Sequence, residues 1–234
     1  LTGYGAYGSS STPFFNTLYL GMINRGVIVA VAHVRGGGEK GNDWYHAGYK
    51  TTKPNTWKDF IACAEYLVKN KYTSSPKLFG MGTSAGGVLI GRAITERPDL
   101  FGAAICNVPC ANALRMENSP NGPVNTPEFG TVKDSVECMA LWEMDAFQHV
   151  KSGVNYPAVI CVGGFNDPRV IVWQPAKLAA KLQNATVSGK PVLLQVNYDS
   201  GHFTEDKKIT YRNFANMYSF CLWQTGHKDF QMKK

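Results

Sequence analysis

Residues 78–90 read LFGMGTSAGGVLI. Apolar Leu78 and Phe79 precede Gly82-Thr83-Ser84-Ala85-Gly86, and a small-residue, helix-compatible run follows. Strand, sharp turn and helix form the context in which a Gly-x-Ser-x-Gly pentapeptide lifts a strained serine above the top of a sheet. Glycines flank the serine because strand and helix backbones approach closely there. The Ala85 amide, opening the next helix, would then point at a developing oxyanion. The pentapeptide alone also describes an ordinary Gly-rich turn, so the rest of the chain must decide.

Upstream, residues 27–34 (VIVAVAHV) are a continuous apolar, β-rich run that predicts a strand buried on both faces, with His33 as a core histidine. Arg35-Gly36-Gly37-Gly38-Glu39 follows. Its three glycines predict close packing, and Arg35 and Glu39 are expected to tie the loop down by ion pairing. Apolar spacing predicts a helix over 14–24, ended by Gly26, and an amphipathic helix over 56–70. Residues 1–11 are a Gly- and Ser-rich loop with two tyrosines. Downstream, 101–108, 158–163 and 192–197 read as strands, and 174–184 and 210–224 as helices. Strand, loop and helix alternate, which predicts an α/β fold, a mostly parallel sheet with helices on both faces. Residues 109–148 break the rhythm with four prolines and predict an irregular insertion over the carboxyl edge of the sheet, the usual place of a functional loop or lid.

Three residues then fall in order at strand ends: Ser84, Asp167 and His202. Serine is a weak nucleophile until a base takes its proton. Histidine, with an ordinary pKa near ~6.5, can be that base, and an aspartate can hold its tautomer. Singly, each has a bland alternative: a turn serine, an Asn-Asp-Pro turn former, a loop histidine. In a parallel sheet all three loops emerge at one edge and can meet. His46, His149 and His227 lack such a context.

The 234 residues suffice for one domain with a single core, 44% being hydrophobic and 18% charged. No apolar run is long enough to span a membrane. The net charge of +7 comes from scattered Lys and Arg without a basic block, which argues against nucleic acid as a partner. Six cysteines include no CxxC pair; most sit in apolar segments as buried thiols, and they leave the compartment undecided. No cluster suits a metal and no Gly-rich loop suits a dinucleotide, so neither metal nor cofactor is expected.

The ordered stretches Tyr4-Gly5-Ala6-Tyr7, Arg35 to Glu39, Asn42-Asp43-Trp44, Gly82 to Gly87, Arg97 to Phe101, Asn166 to Val170, Trp173 to Lys177 and Ser200-Gly201-His202 cover almost the whole chain. Together they resemble the catalytic domain of the prolyl oligopeptidase family of serine peptidases, nearest its oligopeptidase B branch. The resemblance implies an α/β-hydrolase fold and a Ser84–Asp167–His202 triad. It implies that the Tyr4 hydroxyl completes an oxyanion hole beside the Ala85 amide. It also implies that Tyr7 lines the primary specificity pocket and that Arg169 binds a substrate carbonyl, an ion pair with Asp167 or Glu128 being the ordinary alternative. In oligopeptidase B a Glu-x-Glu pair selects a basic residue; here Glu128-Phe129-Gly130 keeps one acid, which weakens that expectation.

The family's β-propeller has no counterpart in this sequence, and its first hydrolase strands are expected to be missing as well. The expectation is therefore a single hydrolase domain over 1–234, with self-association through exposed edges or an absent propeller as its partner. Three functions follow: a peptidase acting on short peptides through an acyl-enzyme, a stand-alone esterase using the same triad, and an inactive hydrolase fold used for binding.

Overall fold

The computed structural model describes residues 1–232. One 6-stranded sheet is built from β1 (Thr2–Gly3), β2 (Val31–Ala32), β3 (Phe79–Thr83), β4 (Ala103–Asn107), β5 (Ala158–Gly164) and β6 (Val192–Asn197). The spatial order is β2-β1-β3-β4-β5-β6, and every neighbouring pair is parallel. Parallel neighbours need long crossovers. These contain helices α1 (Thr17–Ile23), α2 (Asn42–His46), α3 (Pro54–Lys69), α4 (Gly86–Glu96), α5 (Ala113–Met116), α6 (Thr126–Phe129), α7 (Ser135–Met144), α8 (Ala146–His149) and α9 (Trp173–Ala185); α10 (Lys207–Gln224) follows the last strand.

The period of two along each strand splits the core. Ala104 and Cys106 of β4 and Val159 and Cys161 of β5 face a cluster formed with α3, α4 and α9. Ala103, Ile105, Ala158 and Ile160 face the opposite cluster, closed by Met22 of α1 and by Met217, Phe220 and Leu222 of α10. Every residue of β4 and β5 is buried, as central parallel strands require. Helix α3 starts at Pro54, whose missing N–H costs nothing in a first turn, and buries Trp57, Phe60, Ile61 and Ala64. Helix α10 starts at Asp206, whose carboxylate accepts the Lys208 and Ile209 amides.

Five expectations need correction. The run 27–34 pairs only at Val31–Ala32 and is not buried on both faces: Ile28 is 61% and Val31 44% exposed. His33 is exposed as well, not a core histidine. The cause is position, since β2 is the edge of the sheet and its only partner is β1. Of the two residues expected to tie the glycine loop down by ion pairing, Arg35 does so, gripping Asp59 of α3 through Nε at 2.8 Å and a second nitrogen at 2.5 Å, whereas Glu39 instead accepts the Ser11 amide at 2.8 Å. Helix α1 begins at Thr17 because the Asn16 side chain caps it, leaving Phe14 and Phe15 exposed. Residues 109–148 are not irregular throughout. They fold as α5 to α8, and Phe129, Leu141, Met144 and Ala146 are buried in the cluster shared with α3 and α4.

All six cysteines are free thiols; Cys106, Cys110, Cys161 and Cys221 are buried.

Candidate active site

Ser84 follows the last residue of β3 with φ 57°, in the left-handed region that a side chain rarely takes. Glycine makes the turn possible. A Cβ on Gly82 would overlap the Gly86 carbonyl, and one on Gly87 would lie 2.5 Å from Pro109. The Ser84 amide donates to Asn107 at 3.0 Å, and its carbonyl accepts the Cys110 amide at 2.9 Å. The bend is therefore clamped by the end of β4. Ala85 follows at the start of α4, where amides lack intrahelical acceptors.

Asp167 lies in the loop after β5. It is 3% exposed, and its Oδ1 accepts the amides of Arg169 at 2.8 Å and Val170 at 2.9 Å. The loop after β6 carries His202, 6% exposed. These loops are tied to each other: the Asn166 amide donates to the Ser200 carbonyl at 3.2 Å, and Gly164 leaves room for the Gly201 carbonyl. His202 Nδ1 stands 2.7 Å from Asp167 Oδ2, and Nε2 stands 2.9 Å from Ser84 Oγ. The result is one hydrogen-bonded line from a buried carboxylate through an imidazole to a partly exposed hydroxyl. That line can move a proton off the hydroxyl and keep the resulting imidazolium next to a negative charge.

The loop after β1 carries Tyr4 and Tyr7, with ring centroids 6.5 Å apart. A Cβ on Gly86 would lie 3.0 Å from the Gly3 carbonyl and 3.5 Å from Tyr4 Cα, so the start of α4 packs directly on Tyr4. The Tyr4 hydroxyl makes no hydrogen bond among the described residues, and burial pushes its pKa up to about 12. It thus remains a donor. Tyr7 is 45% exposed, has φ 58°, and sits edge-on to Phe129 at 5.6 Å; its hydroxyl donates to Asn125 at 2.7 Å. Two of the three glycines of 36–38 serve this loop, because a Cβ on Gly36 or Gly38 would overlap the Gly5 or Gly8 carbonyl.

Arg169 is exposed, and its guanidinium forms no ion pair with Asp167 or Glu128 among the described residues. Its charge is near enough to oppose the rise in the Tyr4 and Tyr7 pKa values. Glu128 differs from an acid waiting for a substrate cation. It is 3% exposed and already occupied: Oε1 accepts the Tyr7 amide at 2.9 Å and the Lys53 ammonium at 3.2 Å, and Oε2 accepts the Tyr45 hydroxyl at 2.7 Å. A buried carboxylate needs such partners, and Lys53 neutralises it. Lys53, Tyr45 and Asn125 escape sequence reasoning. The one local hint at Lys53 is its place as N-cap of α3, where a capping side chain is expected and a lysine cannot accept.

Residues 13–228 match the model of the prolyl oligopeptidase family of peptidases. Protease 2 of Moraxella lacunata is 32% identical over 97% of this chain and 33% of its own length. A prolyl endopeptidase of Elizabethkingia miricola is 34% identical over 99% of this chain and 33% of its own. The structure of oligopeptidase B from Leishmania major superposes with a TM-score of 0.91 at 35% identity, covering 96% of this chain and 32% of that one. The chain therefore spans about a third of the length of these relatives. All three are named as peptidases, so they give the esterase alternative no support. The parallel sheet, its helices and these neighbours place the domain in the α/β-hydrolase fold, and the chain belongs to the prolyl oligopeptidase family.

Proposed function

We propose that this domain is the catalytic part of a serine peptidase that cleaves short peptides through an acyl-enzyme. The observation that carries the reading is the continuous line Asp167–His202–Ser84, at 2.7 Å and 2.9 Å. His202 Nε2 takes the Ser84 proton as Oγ attacks the scissile carbonyl, then delivers it to the leaving amine. Water repeats the sequence to release the acid. The Ala85 amide and the Tyr4 hydroxyl receive the oxyanion; a phenol held protonated by burial is a suitable donor. Arg169, exposed beside the two tyrosines, takes a substrate carbonyl.

The residue before the scissile bond lies against Tyr7. Its surroundings favour a neutral, compact side chain over a basic one: Phe129 and Asn125 contact Tyr7, Glu128 is already neutralised by Lys53, and Arg169 adds positive charge. Fluorophosphonate labelling followed by parallel assays on a prolyl amide, an arginyl amide and a short-chain ester tests both points. Labelling at Ser84 with prolyl amide turnover is expected. Ester turnover without either amide would replace peptidase by esterase, and arginyl preference would overturn the pocket reading alone. A chain that resists labelling would be an inactive hydrolase fold.

A further inference from the structure

Lys53 is the largest charged side chain to lie fully inside this protein, at 1% exposure. Its ammonium donates to the Gly5 carbonyl at 2.7 Å and to Glu128 Oε1 at 3.2 Å, and it lies 5.1 Å from the Phe129 ring centroid. The Gly5 carbonyl belongs to the residue after Tyr4, and Glu128 Oε1 also accepts the Tyr7 amide. One ammonium therefore spans both sides of the Tyr4–Tyr7 loop. That loop needs holding, since Gly5 (φ 71°) and Tyr7 (φ 58°) both take left-handed backbone angles. A buried lysine is costly unless its charge is used. Here all its described contacts converge on the loop and on the helix facing it. We propose that Lys53 is a positioning residue that fixes the Tyr4–Tyr7 loop from beneath and so aims the Tyr4 hydroxyl at the oxyanion.

The proposal rests on Tyr4 as the oxyanion donor, and a double-mutant cycle separates the two ideas. Turnover of a prolyl amide is measured for the full chain and for Tyr4→Phe, Lys53→Met and the double variant, with melting followed in parallel. Tyr4→Phe is expected to lower kcat about 100-fold. Lys53→Met is expected to lower kcat about tenfold in the native chain and less than about twofold in the Tyr4→Phe background. Equal losses in both backgrounds, with Tyr4→Phe costly, overturn the role of Lys53 and leave Tyr4 standing. An inert Tyr4→Phe overturns both. Because Lys53→Met strands the Glu128 charge, the cycle is repeated with Glu128→Gln, which keeps an acceptor for the Tyr7 amide. If Lys53→Met fails to fold in that background too, Lys53 holds the fold rather than the loop, and the proposal falls.

Discussion

The backbone enters the left-handed region at Ser84 and at Tyr7 with nearly the same angle, φ 57° and 58°, but the two bends are held differently. The first is built from neighbours in sequence. Gly82 clears space for the Gly86 carbonyl within one strand–turn–helix unit, Gly86 and Gly87 let Gly3 and Pro109 pack against it, and the end of β4 fastens it. The second is held from afar, by Gly36 and Gly38, by Lys53 and by Glu128, the last 121 positions away from Tyr7. A bend made by local glycines and fastened by two backbone hydrogen bonds depends on no single side chain. A bend made by distant side chains is as firm as its weakest partner.

The largest test of this contrast is Ser84→Ala. It should reduce amide turnover by about 10⁴-fold or more while melting stays within a few degrees of native, because the elbow does not need the hydroxyl to form. Turnover that survives would remove Ser84 as nucleophile. Lys53→Met should add to its smaller loss of turnover a stability defect of about 3–5 kcal/mol from a buried carboxylate left unpaired, read by denaturant unfolding. Burial lowers the Lys53 pKa to about 8 from 10.5, so between those values the unfolded chain holds the extra proton. Stability conferred by Lys53 therefore rises with pH across that window, and the gap between native and variant should widen from pH 8 to pH 10. A constant gap would mean that Lys53 does not titrate there.

Tyr4→Phe comes next, a loss of roughly 3 kcal/mol of transition-state stabilisation without a stability defect. With the phenol held up to about 12, that loss should be flat between pH 7 and pH 10. A loss that shrinks as pH rises would show the phenol ionising early. The smallest effect sharpens the comparison directly. Ser84→Gly should melt above Ser84→Ala by the equivalent of about 1 kcal/mol, since glycine relieves the left-handed strain. Tyr7→Gly should instead melt lower than native, because the ring packs on Phe129.

The same contrast explains what the sequence reveals. The Gly-x-Ser-x-Gly elbow, the apolar strands and the order of Ser84, Asp167 and His202 at strand ends are contiguous signals, and the structure brings those three side chains together. The acidity of Glu128 is visible in sequence, whereas the buried ammonium opposite it lies 75 positions away. His33 is exposed despite its apolar run, because such a run cannot announce that its strand is the edge of a sheet. The helices within 109–148 are short, and packing against α3 and α4, not periodicity, holds them in place.

The groups gathered at the carboxyl edge of the sheet run from Tyr4 near one end of the chain to His202 near the other. This spread has a meaning in time. A ribosome adds about 5–20 residues per second, so tens of seconds separate the synthesis of Tyr4 from that of His202. Until then Ser84 lacks the imidazole that stands 2.9 Å from its Oγ in the folded domain. Only when β6 has docked beside β5 and the loop carrying His202 has closed on Asn166 is the line Asp167–His202–Ser84 assembled. Under the proposed mechanism, hydrolysis therefore waits for the last strand of the sheet.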